Sequence, residues 1–145
     1  MLKRFALLVA GITLLAACGS APSATAPPPT ATPSPVLANR PSSPAHIWFI
    51  SPTANETVAG PVLHIDVGIS GAQLTTSTST NITPTLGHIH LYTNNSLTYM
   101  NYKPTLDLPV APGVTYAIYA EFVATDHFPF NPRVKTPTIF VHVAG

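Results

Sequence analysis

Charge is scarce in this chain. Six Lys and Arg and five Asp and Glu are spread over 145 residues, a net of +1 with the histidines neutral. No basic stripe is present to follow phosphates, which argues against nucleic acid or an anionic lipid face as a ligand. The five carboxylates, Glu56, Asp66, Asp107, Glu121 and Asp126, leave few pairs for acid–base chemistry. There is one cysteine, Cys18, and one cysteine cannot form an internal disulfide, so any domain must hold through its core alone. No Gly-x-Ser-x-Gly elbow, no His-Glu-x-x-His and no phosphate-cradling glycine loop occurs. A hydrolase would lack both nucleophile and base, so the chain reads as non-enzymatic. The apolar run from Phe5 to Leu14 is about ten residues long, too short for a bilayer core, which needs about 20. No segment shows a 3.6-residue apolar stripe, so helices are not expected.

The ends of that apolar run are informative. Met1-Leu2-Lys3-Arg4 is a short basic head, and small residues close the run, which is the layout of an export signal over residues 1–17. Leu15-Ala16-Ala17-Cys18 resembles the lipobox of bacterial lipoproteins. That resemblance implies cleavage before Cys18, a diacylglycerol on its thiol and an acylated amine. The expectation is a protein outside the cytoplasm, held to a membrane through its N-terminal lipid. More than one acyl chain gives stable attachment, which a single myristoyl does not. An ordinary secreted protein with a stray cysteine is the alternative. Residues 18–45 are then a lipidated cysteine and a linker of Ala, Pro, Ser and Thr with little to bury.

Residues 46–145 hold the apolar alternation. In "PVLHIDVGIS" Leu63, Ile65, Val67 and Ile69 fall on one face, with His64, Asp66 and Gly68 on the other. Period-two runs rich in Ile, Val, Thr, Tyr and Phe read as strands. They are expected at His46–Ile50, Leu63–Ile69, Gly87–Thr93, Leu97–Tyr102, Thr105–Leu108, Thr115–Thr125 and Lys135–Val143, with Pro, Gly and Asn between them. Such spacing predicts an all-β, immunoglobulin-like sandwich of two antiparallel sheets and about seven strands. "LPVAPGVTY" resembles the run before the sixth strand of fibronectin type III and related domains, where a tyrosine closes a corner onto upstream backbone. By that resemblance Tyr116 takes the role. Trp48, the only tryptophan, stands in the first strand, where that family does not keep its buried one.

The chemistry on offer is histidine. In "GHIHLY" the apolar Ile89 and Leu91 face inward, so His88, His90 and Tyr92 face outward. In the neighbouring sixth strand Tyr119, Glu121, Val123 and Thr125 face outward, and the same parity carries His127 to that side. Two imidazoles at i and i+2 of a strand have Cα atoms about 6.5–7 Å apart, close enough to share an ion at bonds of about 2.0 Å. His88, His90 and His127 are therefore candidate ligands for Cu or Zn, both of which imidazole suits. Glu121 is the candidate fourth ligand or outer partner, and Asp126 the residue to orient a ring. Met100 would matter for Cu(I), since thioether is a soft ligand. Spacing alone leaves the plainer reading standing, two solvated histidines on a wet strand face. His46, His64 and His142 read as structural or surface residues.

"GHIHLY", "LPVAPGVTY" and "AEFVATDHFPF" together resemble a family of small exported bacterial domains of unknown function with Gly-His-x-His and Ala-Asp-His-x-Pro motifs. Thr125 replaces the Ala, and Asn94-Asn95 stands where that family has Asp-Gly. The likeness implies no activity. Two functions compete: a tethered metal-binding module, or a structural or interaction module presenting Tyr92, Tyr99, Tyr102 and Tyr119 to a protein or small ligand.

Overall fold

A computed structural model describes residues 39–145. The expected export signal, Cys18 and the expected linker up to residue 38 lie outside the described residues. Among the described residues there are ten strands and no helix. They are β1 (His46–Ser51), β2 (Glu56–Val58), β3 (Val62–Ser70), β4 (Gln73–Leu74), β5 (Leu86–Thr93), β6 (Ser96–Asn101), β7 (Thr105–Pro109), β8 (Thr115–Ala124), β9 (Pro129–Lys135) and β10 (Ile139–Val143).

One sheet has the order β1-β3-β7, all antiparallel. The other runs β2-β10-β8-β5-β4, with β6 also on β5 and β9 also on β8. The period-two pattern decides which faces meet. Ile47, Leu63, Ile65, Val67 and Leu108 from the first sheet join Ile89, Leu91, Ile118, Ala120, Phe122, Phe130 and Val141 from the second in one buried core. Each large aliphatic side chain so buried contributes about 1.5–3 kcal/mol. With β1, β3 and β7 facing β5, β8 and β10, the fold is an immunoglobulin-like β-sandwich.

All seven expected strands are present, and β2, β4 and β9 are additional. The expected strand Lys135–Val143 is shortened to β10, Ile139–Val143, and Lys135 ends β9 instead: β10 pairs the first half of β8, and β9 pairs the second half. Between them Thr136 donates its N–H to Ala120 O at 2.9 Å, and its Oγ1 accepts from Ala120 N–H at 3.0 Å. A threonine hydroxyl thus replaces a ladder carbonyl where the strand breaks. β9 carries Pro129 and Pro132, which a strand tolerates at an edge, and β9 is paired only to β8.

The ordered domain also begins before residue 46. Arg40 is nearly buried, Pro41 O accepts from Asn131 N–H at 3.0 Å, and Ser43 Oγ donates to Pro84 O at 2.6 Å. Composition places these residues in the linker, but their hydrogen bonds belong to the sandwich. Trp48 is 38% exposed on the outer face of β1, so it is no core tryptophan.

The tyrosine corner forms. Ala111 N–H donates to Tyr116 Oη at 2.9 Å, across the Pro112-Gly113 turn in which Gly113 has φ of 72°. Removing the acceptor in Tyr116→Phe is expected to lower unfolding stability by about 0.5–1.5 kcal/mol, with an unchanged denaturant slope. Urea unfolding of the variant beside the wild type measures this; an unaltered midpoint would show that the corner does not hold the β7–β8 connection.

Candidate metal centre

β5 and β8 are zipped in register, with Gly87 opposite Ala124, His88 opposite Val123, His90 opposite Glu121 and Tyr92 opposite Tyr119. Gly87 is required here by space: a Cβ would meet Val123 O and the Phe122 ring. The glycine lets the start of β5 lie against the end of β8. That approach brings His88 beside the turn after β8.

His127 comes from that turn and not from the strand. β8 ends at Ala124, His127 N–H donates to Ala124 O at 2.9 Å, and His127 has φ of 67°. The parity expected to carry His127 outward therefore stops at Ala124. A reversal, in a left-handed conformation that histidine visits more readily than most residues, returns the ring over β5. His88 Nε2 lies 3.2 Å from His90 Nε2 and 2.9 Å from His127 Nδ1. The three ligand nitrogens all fall within 4.8 Å of one another. Tetrahedral coordination at bonds of about 2.05 Å puts ligand nitrogens about 3.3 Å apart, so two of the separations already match within a few tenths of an ångström.

The expectation of a wet outer face is corrected. His88, His90 and Glu121 are buried, with His88 and Glu121 at 0% exposure. The face is paved by its own side chains: the His88 ring lies 5.1 Å from Tyr102 and 4.4 Å from His127, and Tyr92 stacks on Tyr119 at 4.5 Å. The loop of residues 75–85 closes one side. Ser79 N–H donates to Thr125 O at 3.1 Å, and Thr125 Oγ1 donates to Ser79 O at 3.0 Å.

The two candidate outer residues are both held by arginine. Glu121 accepts from Arg133 Nε and Nη2, each at 2.5 Å. Asp126, expected to orient a ring, instead accepts from Arg40 Nη1 at 2.5 Å and Nη2 at 2.8 Å. The Arg40 hydrogen bond is also the main reason that the Asp126 carboxyl titrates below its ordinary range. Neither carboxylate belongs to the group of three convergent ligands. Met100 is the cross-strand partner of His90 and half exposed. Of the four tyrosines, Tyr99 is exposed, whereas Tyr92, Tyr102 and Tyr119 are half-buried around the histidines. His64 pairs with Asp107 at 2.6 Å and His142 with Thr115 at 2.8 Å, both away from the centre. The residues that sequence reasoning missed are Arg40 and Arg133. Arg133 lies in the proline-bearing strand that went unassigned, and Arg40 in the presumed linker.

His88 Nδ1 is buried with no hydrogen-bond partner. Presenting Nε2 unprotonated to the other rings leaves the proton on Nδ1, and a buried unpaired N–H costs about 1–3 kcal/mol. An ion at the three nitrogens would have to offset that penalty. Burial is the main cause that lowers the His88 pKa to about 4, with the neighbouring charges of His90 and His127 adding to it. Burial also lowers His90.

No family model and no curated protein sequence matches the chain. Among solved structures, the chain is similar to the fibronectin(III)-like modules of Clostridium thermocellum CbhA, at 20% identity over 68% of this chain and 94% of that one, with a TM-score of 0.47. It is also similar to an engineered protein at 12% identity, over 70% of this chain and 20% of that one, with a TM-score of 0.45.

Two outcomes test the local geometry. A histidine whose folded pKa is depressed binds its proton better unfolded, so its contribution is complete above the ordinary 6.5 and is lost as pH falls toward the folded value. The metal-free domain is therefore expected to lose stability from about pH 6.5 down to about pH 4, by up to about 1.4 kcal/mol per pH unit for each such group. Denaturant midpoints across that range read the effect, and a flat profile would contradict the buried neutral state of His88. Separately, Gly87→Ala forces strand and ring apart and is expected to cost about 1–3 kcal/mol, readable in the same assay.

Proposed function

We propose that this domain is a non-catalytic transition-metal-binding module that takes Cu or Zn at His88, His90 and His127, and that it works outside the cytoplasm on a lipid anchor at Cys18. The metal reading rests on one observation above all: three imidazole nitrogens converge within 4.8 Å in a largely buried setting. The donor set is uncharged and nitrogenous, which suits Cu and Zn and not the oxygen-seeking Mg or Ca. The carboxylates that would recruit a hard cation are engaged by Arg133 and Arg40. The lipid anchor is supported by Leu15-Ala16-Ala17-Cys18 after a basic head and a short apolar run.

A second reading has its own observation. β6 is an edge strand, and Leu97, Tyr99 and Met100 on it are exposed. That edge suits a structural or interaction module of the cell envelope, since unpaired strand edges and tyrosine-bearing surfaces accept partners.

Titration of the wild type and of His88→Ala/His90→Ala with Cu(II) and Zn(II), followed by calorimetry, separates the two. The metal reading expects the double variant to bind more than about a hundredfold more weakly, beyond the loss typical of outer partners. Equal weak binding by both proteins would overturn it and favour the interaction module.

A further inference from the structure

His127 is the one ligand candidate that no strand holds. Its turn has its own bonds, His127 N–H to Ala124 O at 2.9 Å, Ala124 N–H to Phe128 O at 3.0 Å and Phe128 N–H to Asp126 Oδ1 at 3.2 Å. Those bonds shape the reversal, and a second set ties it down from outside. Arg40 Nε donates to Pro129 O at 2.9 Å, its Nη1 and Nη2 donate to the two oxygens of Asp126, and Nη2 also donates to Phe128 O at 3.0 Å. Its guanidinium lies 5.9 Å from the centre of the Phe128 ring. The contacts fall on residues 126, 128 and 129, on both sides of His127, and none falls on His127 itself. The Arg40 side chain is 8% exposed and that of Asp126 16%. A forked guanidinium in such a place fixes orientation in a way that a lysine ammonium does not.

We propose that Arg40 is the positioning residue of the three-histidine centre: it fixes the Thr125–Phe128 turn, and through it the ring of His127, so the segment leading into the domain sets the site's affinity for metal. The inference rests on the metal reading for its functional consequence. Its geometric content stands without it. Asp126 is the second half of the device, because its carboxylate grips Arg40 and leaves the rings to one another. The consequence is a coupling between the chain entering the sandwich and the most adjustable ligand of the centre. Displacement of residues 40–43, by tension, cleavage or a partner, would strip the outer set of bonds from the His127 turn while leaving His88 and His90 on β5.

The test uses the full chain in two arms. In the first, Zn(II) and Cu(II) affinities are measured by chelator competition for wild type, Arg40→Gln, Arg40→Lys, His127→Ala and the pair Arg40→Gln/His127→Ala. Arg40→Gln is expected to weaken binding by about 10- to 100-fold, as loss of outer partners does, and Arg40→Lys to recover part of it. In the His127→Ala background the same substitution is expected to change affinity by less than about threefold, since nothing remains to position. An equal loss in both backgrounds would make Arg40 a mere staple of the fold and overturn the proposal, as would wild-type affinity in Arg40→Gln. The second arm needs no metal: magnetisation transfer between the ring protons of His127 and His88 in the metal-free protein, present in the wild type and lost in Arg40→Gln. Its persistence in Arg40→Gln overturns the proposal. A wild type that binds neither metal defeats the functional reading and leaves this second arm to decide the positioning role. Should Arg40→Gln fail to fold, Arg40→Lys carries both arms.

Discussion

Seven successive residue pairs, from Gly87 opposite Ala124 to Thr93 opposite Ile118, zip β5 to β8. This ladder serves both faces of the sheet. On one side it aligns Ile89 and Leu91 with Phe122 and Ala120 in the core; on the other it sets His88 and His90 against Val123 and Glu121. Because side chains alternate with a period of two, a slip by one residue would drive the histidines into the core and the isoleucine out. The hydrophobic face thus fixes the polar one. Gly87 is where this constraint is tightest, since the ladder closes there against backbone and ring with no room for a Cβ.

The face that the ladder creates is polar in composition yet largely buried. It is covered by aromatic rings and by two arginine–carboxylate pairs, Arg133 with Glu121 and Arg40 with Asp126. A carboxylate as fully buried as Glu121 is tolerated only with its partner in place. The two pairs also settle what the histidines can be. With the nearby negative charges already answered by arginine, nothing favours protonated imidazole strongly enough to outweigh burial, and His88 and His90 stay neutral. Neutral imidazole is the form that binds a transition metal.

The strands that carry alternation were legible in the sequence, as were the corner at Tyr116 and the neighbouring placement of β5 and β8. The meeting of His127 with His88 and His90 was reached by extending strand parity past Ala124, and the structure brings the rings together by a different route, a left-handed turn. Parity along a strand is a local rule, whereas the return of a turn depends on what anchors it. That anchor, Arg40, sits in a stretch whose Pro and Ser composition speaks for a spacer, and no local pattern marks a single arginine as docked. The burial of the histidine face was illegible for a related reason. Alternation says which face is polar, but only the tertiary placement of Tyr102, His127 and the Thr75–Thr85 loop covers it. β9 was hidden by its prolines, which an edge strand admits.

Charge accounting constrains what such a centre would hold. Three neutral imidazoles bring no negative charge, and each nearby carboxylate is matched by its own guanidinium. An ion placed there would keep its full charge in a setting where His88 is wholly buried and His90 nearly so. The desolvation penalty of an ion rises with the square of its charge, so a monovalent ion enters such a site far more cheaply than a divalent one. A divalent ion would need an anion from solution beside it. His127, the partly exposed member on the turn, is the side from which one would arrive. The monovalent case, Cu(I), prefers soft donors, and the cross-strand partner of His90 is Met100. Burial and the arginine pairs therefore penalise an ion by its charge, a constraint that the spacing of the histidines does not contain.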